Sequence, residues 1–374
     1  MIDMTVKMHV PFVDLRAQYH SLKNEIDNAI FSVIEDSEFI KGKYVAAFEK
    51  EFASAYGVRH CIGVANGTDA IYIVLKMLGI GEGDEVITVA NSWISSSETI
   101  TQAGARPVFV DTEPDFFSID VSKIEEKITA RTKAIIPVHL YGQPAEADKI
   151  KLICEKHKLV LIEDCSQSHF AQINGQTVGS FGLVSTFSFY PGKNLGAYGD
   201  AGAIITNDDE LARKMRMYAN HGALIKHQHE MEGINSRLDG MHAAILSVKL
   251  PYIRKWNEQR FNNAQYLNEN LSGIPGVEIP KIRKNASHIF HLYVIKADRR
   301  DELQKHLKEN GIETAIHYPT PLPLLPAYKY LGHTAANFPV TSKNQEKIIS
   351  LPMFPELSKE KMDYVVHCIR KFYK

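Results

Sequence analysis

The sequence has little that would direct the protein to a membrane, to nucleic acid or out of the cell. Its 374 residues include 43 lysines and arginines and 44 aspartates and glutamates, so no net charge attracts a polyanion or an acidic lipid surface. No apolar run approaches the roughly 18 residues of a membrane span, and residues 1–15 lack the basic and apolar segments of a signal peptide. We therefore expect a cytoplasmic protein that binds neither nucleic acid nor membranes.

Cysteine is scarce as well. The four cysteines, at positions 61, 154, 165 and 368, form no CxxC pair and have no spacing typical of a metal site. This pattern predicts reduced thiols and no bound metal. Cys165, which follows an acidic pair, would suit a reactive thiol, but we favour a small buried side chain.

The remaining composition, 44% hydrophobic and 23% charged, is that of a globular protein, and the length favours two or three domains. Short apolar runs alternate with helical periodicity, and repeated units of this kind predict an α/β protein with a mostly parallel sheet covered by helices on both faces. The predicted strands are 61–65, 85–89, 107–111, 134–138, 159–162 and 201–206.

Other segments complete this prediction. Apolar spacing predicts an N-terminal helix over 16–35 and a long helix over 241–271, and Ser122 with Glu125 has the pattern of a capping box for a further helix. A strand is expected over 288–297, in a second unit of the chain. We place the boundary of this smaller domain near residue 250.

A single lysine, Lys193, lies in a tight turn between a strand-like run and a glycine-rich loop. Pro191 and Gly192 favour the turn, and the aromatic and glycine neighbours favour a partly desolvated amine. Desolvation lowers the pKa of a lysine, which yields a neutral amine able to attack a carbonyl and form a Schiff base. A surface lysine after a β-turn is the alternative interpretation.

Asp164 follows the apolar run 159–162, where the carboxyl end of a buried strand is expected. Sheets of α/β proteins bind ligands at this edge, and a carboxylate there can keep the pyridine nitrogen of pyridoxal phosphate protonated. A helix N-cap would explain Asp164 equally well. Likewise, Gly67 and Thr68 lie between a strand and a helix start, which suits either a bound phosphate or an ordinary threonine N-cap.

These stretches, in this order from residue 10 almost to the C-terminus, resemble the DegT/DnrJ/EryC1/StrS family of sugar-nucleotide aminotransferases. The resemblance implies fold type I of the pyridoxal-phosphate enzymes, the fold of aspartate aminotransferase. In that fold a large domain, residues 1–250, holds a mostly parallel seven-stranded sheet between helices, and a smaller C-terminal α+β domain comprises residues 251–374. The cofactor would be pyridoxal 5'-phosphate, bound to Lys193 as a Schiff base, with Asp164 at its pyridine nitrogen.

The resemblance also implies the residues that hold the cofactor phosphate. They are Gly67, Thr68 and Ser188 of one subunit, together with Asn235 supplied by a second subunit. The active protein is therefore expected to be a homodimer with a shared active site.

Five further positions match residues near the cofactor or the substrate. Trp93 would stack against the pyridine ring, a core tryptophan being the alternative, and Gln167 would lie near the 3-hydroxyl of the cofactor. Arg237, His317 and Tyr318 match residues that approach the nucleotide sugar in relatives.

The family implies a ping-pong transamination in which L-glutamate donates its amino group and a nucleotide-linked keto sugar receives it. Residues 193–200 resemble the branch that aminates carbon 3, so we expect a dTDP-linked 3-keto-6-deoxyhexose as acceptor, in the synthesis of amino sugars for lipopolysaccharide O-antigen or other surface polysaccharides. A UDP-linked 3-keto sugar or a 4-keto sugar is the alternative acceptor. A regulatory module that binds the cofactor without turnover is the alternative of another class.

Overall fold

The structure is a computed structural model and describes residues 7–374 of the chain. Within these residues the backbone forms twelve β-strands and twelve α-helices, joined by turns and short 3-10 helices. The strands are β1 (His60–Val64), β2 (Glu85–Val89), β3 (Arg106–Val110), β4 (Thr132–Ile136), β5 (Val160–Asp164), β6 (Gln172–Ile173), β7 (Gln176–Thr177), β8 (Val184–Ser188), β9 (Gly202–Thr206), β10 (Val277–Glu278), β11 (Tyr293–Ala297) and β12 (Ile348–Leu351). The helices are α1 (Leu15–Ser21), α2 (Lys23–Asp36), α3 (Gly42–Tyr56), α4 (Gly67–Met77), α5 (Ser95–Gln102), α6 (Ala147–His157), α7 (Asp209–Tyr218), α8 (Gly240–Lys249), α9 (Ile253–Leu271), α10 (Arg300–Glu309), α11 (Pro339–Gln345) and α12 (Lys359–Phe372).

Seven of the strands form one sheet in the order β1-β9-β8-β5-β4-β2-β3. The pairs β2–β3, β2–β4, β4–β5 and β5–β8 are parallel, and β9 alone runs antiparallel to its neighbours β1 and β8. The predicted α/β fold with a mostly parallel seven-stranded sheet is thus confirmed. Because β5 and β8 are parallel neighbours, their carboxyl ends bring Asp164 and the segment after Ser188 to the same edge of the sheet.

Helices cover both faces of this sheet. In β4 the side chain of Ile135 packs in the same core as Phe52 of α3, whereas Ala134 and Ile136 pack on the opposite face with Val74 of α4. Successive residues of a strand point to opposite faces, so a strand that is apolar at consecutive positions is buried on both sides.

A second unit follows in the C-terminal part of the chain. The antiparallel sheet β10-β11-β12 packs with α10 and α12 around a separate core. Val10 also lies in this core and forms a parallel bridge with Ile312, while α9 contributes Trp256 to the core of the large sheet and Leu267 to that of the small one. The division of the chain at residue 250 stays a prediction. No helix in residues 7–374 has both the length and the hydropathy that crossing a membrane requires.

Two predicted helices are interrupted. The helix expected over 16–35 is divided into α1 and α2 at Leu22, and the helix over 241–271 is divided by a 3-10 turn at Leu250–Tyr252. Pro251 lies in that turn and has no backbone N–H to donate, which ends the regular α-helical hydrogen bonding.

Two other predictions were wrong at this level. Ser122 and Glu125 do not cap an α-helix; the side chain of Asp120 instead accepts the N–H of Ser122 at 3.0 Å, and two 3-10 turns follow. The strand expected over 288–297 is limited to β11. The residues before β11 are hydrogen-bonded to the turn after β4 and not to the small sheet: the N–H of Ile289 donates to Gly142, and that of Leu292 donates to Tyr141.

Candidate active site

Lys193 lies in the turn that follows β8, at the carboxyl edge of the large sheet. Its backbone N–H donates to the carbonyl of Tyr190 at 2.8 Å, and the N–H of Ala197 donates to the carbonyl of Phe189 at 2.8 Å, so the turn is closed from both sides. Burial lowers the pKa of the Lys193 amine to about 8, although attraction to Asp164 opposes this shift. A lowered pKa leaves more of the amine neutral near pH 7, which a nucleophilic lysine requires.

Three neutral histidines surround this lysine. Burial, and then the charge of Lys193, lowers the pKa of His169 to about 3 and that of His317 to about 4. The same two causes bring the pKa of His291 well below its ordinary value. A single histidine in an apolar run is usually a core residue, so no local pattern marks His169 and His291 as neighbours of the lysine. Both are buried, and their neutral rings add no charge beside the amine.

Asp164 ends β5, and its carboxylate is 4% exposed. The hydroxyl of Ser96 donates to Oδ2 at 3.1 Å, and the backbone N–H of Ser166 donates to Oδ1 at 3.1 Å. Asp164 is followed by a turn and then by β6, and no α-helix begins directly after it, so the N-cap alternative does not apply. Ser96, at the start of α5, is a site residue that the sequence analysis did not identify.

Gln167, Tyr318 and Trp93 form one wall of the pocket. Nε2 of Gln167 donates to the hydroxyl of Tyr318 at 3.1 Å, and the rings of Tyr318 and Trp93 have their centroids 5.8 Å apart. Trp93 is 58% exposed, which excludes the alternative of a core tryptophan. His317 precedes Tyr318 and accepts or donates a hydrogen bond at 2.8 Å between its Nδ1 and the hydroxyl of Ser350.

Gly67 and Thr68 begin α4 beside the end of β8. A Cβ atom on Gly67 would lie 2.8 Å from Cβ of Ser188, so only glycine allows this approach. The N-cap of α4 is Asn66, whose side chain accepts the N–H of Asp69 at 2.8 Å, and not Thr68. The hydroxyl of Thr68 therefore does not cap the helix, and it lies 2.7 Å from the hydroxyl of Ser95. The first N–H groups of a helix have no partner within the helix. Together with the hydroxyls of Thr68, Ser95 and Ser188 they make a site suited to a phosphate.

Asn235 and Arg237 are not brought into this group. Asn235 has an exposed side chain with no hydrogen bond to any residue within 7–374, and its backbone forms a bridge with Asn220. Arg237 is half-buried and lies near Lys41, whose pKa is lowered by burial and then by the charge of Arg237. Within a single chain these two predicted site residues therefore have no observed link to the Lys193 pocket.

Glu163, next to Asp164, organises the loop before β8. Its buried carboxylate accepts the N–H groups of Gly179, Phe181 and Gly182 at 2.9, 2.8 and 2.8 Å, and Nε2 of His139 lies 3.1 Å from Oε2. Nδ1 of His139 accepts the N–H of Ala145, so Nε2 carries the proton that is donated to Glu163. Burial acts to raise the pKa of Glu163, but these hydrogen bonds outweigh it and hold the pKa below its ordinary value.

The residues of the pocket fit pyridoxal phosphate. A partly neutral amine, a buried carboxylate and a helix start with no room for a Cβ atom supply the three features that its aldehyde, ring nitrogen and phosphate require. Lys193, Asp164 and the group of Gly67, Thr68 and Ser188 would hold those three parts.

The family comparison agrees with this chemistry. The model of the DegT/DnrJ/EryC1/StrS aminotransferase family matches residues 20–370. The chain is 48% identical over 369 residues to a "Pleiotropic regulatory protein" of Geobacillus stearothermophilus, covering 98% of this chain and 99% of that protein. It is 39% identical over 363 residues to the dTDP-3-amino-3,4,6-trideoxy-alpha-D-glucose transaminase of Streptomyces venezuelae, covering 97% of this chain and 96% of that enzyme.

The solved structures agree as well. The crystal structure of DesV from S. venezuelae matches with a TM-score of 0.95 at 39% identity, covering 98% of this chain and 99% of that chain. The names of further relatives refer to dTDP-, UDP- and GDP-linked sugars. The chain therefore belongs to the DegT/DnrJ/EryC1/StrS aminotransferase family, and it is an aminotransferase that depends on pyridoxal phosphate.

Proposed function

We propose that the protein transfers the amino group of L-glutamate to carbon 3 of a nucleotide-linked keto sugar, with a dTDP-linked 3-keto-6-deoxyhexose as the acceptor. The observation that carries the proposal is the amine of Lys193, whose pKa is lowered by burial and which lies close enough to the buried Asp164 for the two groups to attract each other. The relatives that are named sugar transaminases, among them the carbon-3 enzyme of S. venezuelae, support the acceptor class.

The cofactor, Lys193 and Asp164 would each supply a different part of the reaction. Pyridoxal phosphate, when bound, supplies the aldehyde that takes up the amino group and the electron sink that makes the neighbouring carbon acidic. Nζ of Lys193 would move a proton from the α-carbon of glutamate to the cofactor in the first half-reaction, and from the cofactor to the sugar carbon in the second. General acid–base catalysis of this kind contributes about 10²–10⁴-fold. Asp164, whose carboxyl oxygens accept hydrogen bonds from Ser96 and Ser166, would hold the ring nitrogen of the cofactor.

The acceptor side of the pocket is formed by Trp93, His317 and Tyr318. In this proposal the two aromatic rings cover the reacting groups and exclude water, and His317 stays neutral beside Lys193. Asn235 completes the phosphate site of a second subunit, which its exposed side chain supports, and Arg237 of the same segment approaches the nucleotide sugar. The protein would then act in amino-sugar synthesis for surface polysaccharides.

The proposal is tested by separating the two half-reactions. Purified protein with pyridoxal phosphate is mixed with L-glutamate, and release of 2-oxoglutarate is measured; dTDP- and UDP-linked 3-keto and 4-keto sugars are then added one at a time and the aminated product is detected by mass. We expect 2-oxoglutarate with the wild type and a mass change with the dTDP-linked 3-keto sugar. A UDP-linked or 4-keto acceptor would replace only that part of the proposal.

The variant Lys193→Ala should lose at least a hundredfold in both half-reactions, whereas Lys151→Ala, an exposed lysine of α6, serves as control and should keep the wild-type rates. If the wild type binds the cofactor but releases no 2-oxoglutarate, L-glutamate is not the amino donor and that part of the proposal is overturned.

A further inference from the structure

Tyr141 has a backbone conformation that is unusual for a large side chain. It follows β4 in a short 3-10 turn, Leu140–Gly142, with φ 61° and ψ 2°, in the left-handed region. The residue is only 3% exposed, so the surrounding contacts and not solvent hold it there. Such conformations persist where neighbouring structure determines them, and they are frequent at functional sites.

The backbone of Tyr141 holds one residue of the pocket. Its N–H donates to Oε1 of Gln167 at 2.7 Å, and Nε2 of the same Gln167 donates to the hydroxyl of Tyr318 at 3.1 Å. Because a backbone N–H can only donate, the amide atom of Gln167 that faces the turn must be Oε1. Nε2 is then the atom that faces Tyr318.

The side chain of Tyr141 holds His317, the residue that precedes Tyr318. Its hydroxyl donates to the backbone carbonyl of His317, and Nδ2 of Asn91 donates to the same hydroxyl at 3.2 Å. Oδ1 of Asn91 in turn accepts from Nε2 of Gln345 at 3.2 Å, which orients the asparagine amide. Tyr141 thus contacts the His317–Tyr318 segment by two routes, one through its backbone and Gln167, and one through its hydroxyl.

The turn itself has little freedom to move. A Cβ atom on Gly142, which has φ 97°, would lie 2.8 Å from the backbone nitrogen of His291. The carbonyls of Tyr141 and Gly142 accept N–H groups of Leu292 and Ile289 at 3.2 and 2.9 Å. The turn is therefore held against the segment that continues into the small sheet.

We propose that Tyr141 is a positioning residue that sets the His317–Tyr318 segment and thereby determines how tightly the sugar nucleotide binds, while the half-reaction with glutamate does not depend on its hydroxyl. This inference rests on the proposed function, because it is the sugar nucleotide that His317 and Tyr318 are proposed to meet. Tyr141 itself touches neither the lysine nor the carboxylate of the pocket in any hydrogen bond of residues 7–374.

The variant Tyr141→Phe separates the two routes, because it removes the hydroxyl and keeps the backbone N–H to Gln167. Binding of dTDP-glucose and of UDP-glucose, which have no keto group and cannot be aminated, is measured by titration calorimetry of the cofactor-loaded protein. For whichever of the two the wild type binds, we expect about tenfold weaker binding, the loss of a single well-placed hydrogen bond. The rate of 2-oxoglutarate release and the visible absorbance of the bound cofactor should stay within twofold of the wild type.

Tyr293→Phe is the matched control. Tyr293 is fully buried in the core of the small sheet, and its hydroxyl donates to Oδ1 of Asn268 at 2.7 Å, so this variant also loses one buried hydrogen bond but lies outside the pocket. It should leave nucleotide-sugar binding unchanged. Should Tyr141→Phe fail to fold, Asn91→Ala is used instead; it removes the donor to the Tyr141 hydroxyl together with the acceptor of the Gln345 amide, and it should weaken binding about threefold.

A cofactor-free measurement keeps the inference separate from the proposed function. Trp93 is 58% exposed and Trp256 is 5% exposed, so acrylamide quenching of the apo-protein reports mainly on Trp93 beside Tyr318. Tyr141→Phe should change the quenching constant, and Tyr293→Phe should not.

Wild-type binding and wild-type quenching in Tyr141→Phe would overturn the inference. Equal losses in binding, 2-oxoglutarate release and cofactor absorbance would also overturn it, because Tyr141 would then support the whole site. A wild type that binds neither nucleotide sugar would count against the proposed acceptor, and the quenching result would then decide on Tyr141 alone.

Discussion

The close approach of α4 to β8 makes Gly67→Ala the sharpest test of the phosphate site. The added Cβ atom would lie 2.8 Å from Cβ and 3.2 Å from Cα of Ser188, and 3.5 Å from the carbonyl oxygen of Phe187. Carbon atoms pack best at about 3.5–4.0 Å, so the helix start and the strand end must move apart by several tenths of an ångström. Two of the three phosphate contacts predicted within one subunit, at residues 67 and 188, lie on the two sides of this gap.

The expected size of the effect follows from these distances. Overpacking of this kind costs about 1–3 kcal/mol in folding free energy. A hydrogen bond to a charged group contributes about 1.5–3 kcal/mol, so loss of one such bond to the phosphate weakens cofactor binding by about 10- to 100-fold. The turn that carries Lys193 is closed by its own hydrogen bonds and should keep the amine in place.

Cofactor affinity is measured by titrating the apo-protein with pyridoxal phosphate, and stability by thermal unfolding of the apo-protein. Gly81→Ala is the matched control, because Gly81 does not have a positive φ and its added Cβ atom would meet only the carbonyl of Ala103, at an ordinary 3.5 Å. The double variant Gly67→Ala/Ser188→Gly removes the closest atom and should recover part of the lost stability, but not the lost affinity, because Ser188 is itself a predicted phosphate contact. Wild-type affinity and wild-type stability in Gly67→Ala would refute the assignment of this helix start to the phosphate.

Two further predictions concern Glu163 and the partner subunit. Glu163→Gln replaces a buried acceptor of several N–H groups with an amide that can satisfy fewer of them, so apo-protein stability at pH 7 should fall by about 2–5 kcal/mol. Because the pKa of Glu163 is held below its ordinary 4.5, its contribution to stability is present above that value and is lost as the pH falls through the lower native pKa. In urea unfolding, the difference in unfolding free energy between wild type and Glu163→Gln should therefore shrink below about pH 4.5. A difference that stays constant with pH would contradict the argument. Mixing Lys193→Ala with Asn235→Ala subunits should restore activity at about one quarter of the sites, because half of the randomly formed dimers are mixed and each has one intact site; no recovery in proven mixed dimers would place Asn235 in its own subunit's site.

The sequence was sufficient for the sheet and for the centre of the pocket because both depend on local patterns. A continuous apolar run predicts a strand buried on both faces, and the run before Asp164 is β5, which extends through Asp164 itself. The turn residues around Lys193 likewise determine local backbone geometry. The same reasoning went wrong where tertiary contacts decide, as at Ser122, where the side chain of Asp120 caps a 3-10 turn in place of the predicted helix.

The residues that support the centre have no comparable local pattern. Ser96 meets Asp164 across 68 positions of sequence, and Tyr141 meets His317 across 176. Serine and tyrosine are common, and neither stretch differs in composition from an ordinary loop. Only the parallel pairing of β2, β4 and β5 brings the segments after these strands to one edge, where a hydroxyl can reach a carboxylate or a carbonyl. A left-handed φ at a tyrosine cannot be read from residue type either, since glycine and asparagine are the usual residues there. Tyr141 nevertheless has this conformation, and its N–H donates to Gln167 while its hydroxyl donates to His317, which ties the acceptor side of the pocket to the turn after β4.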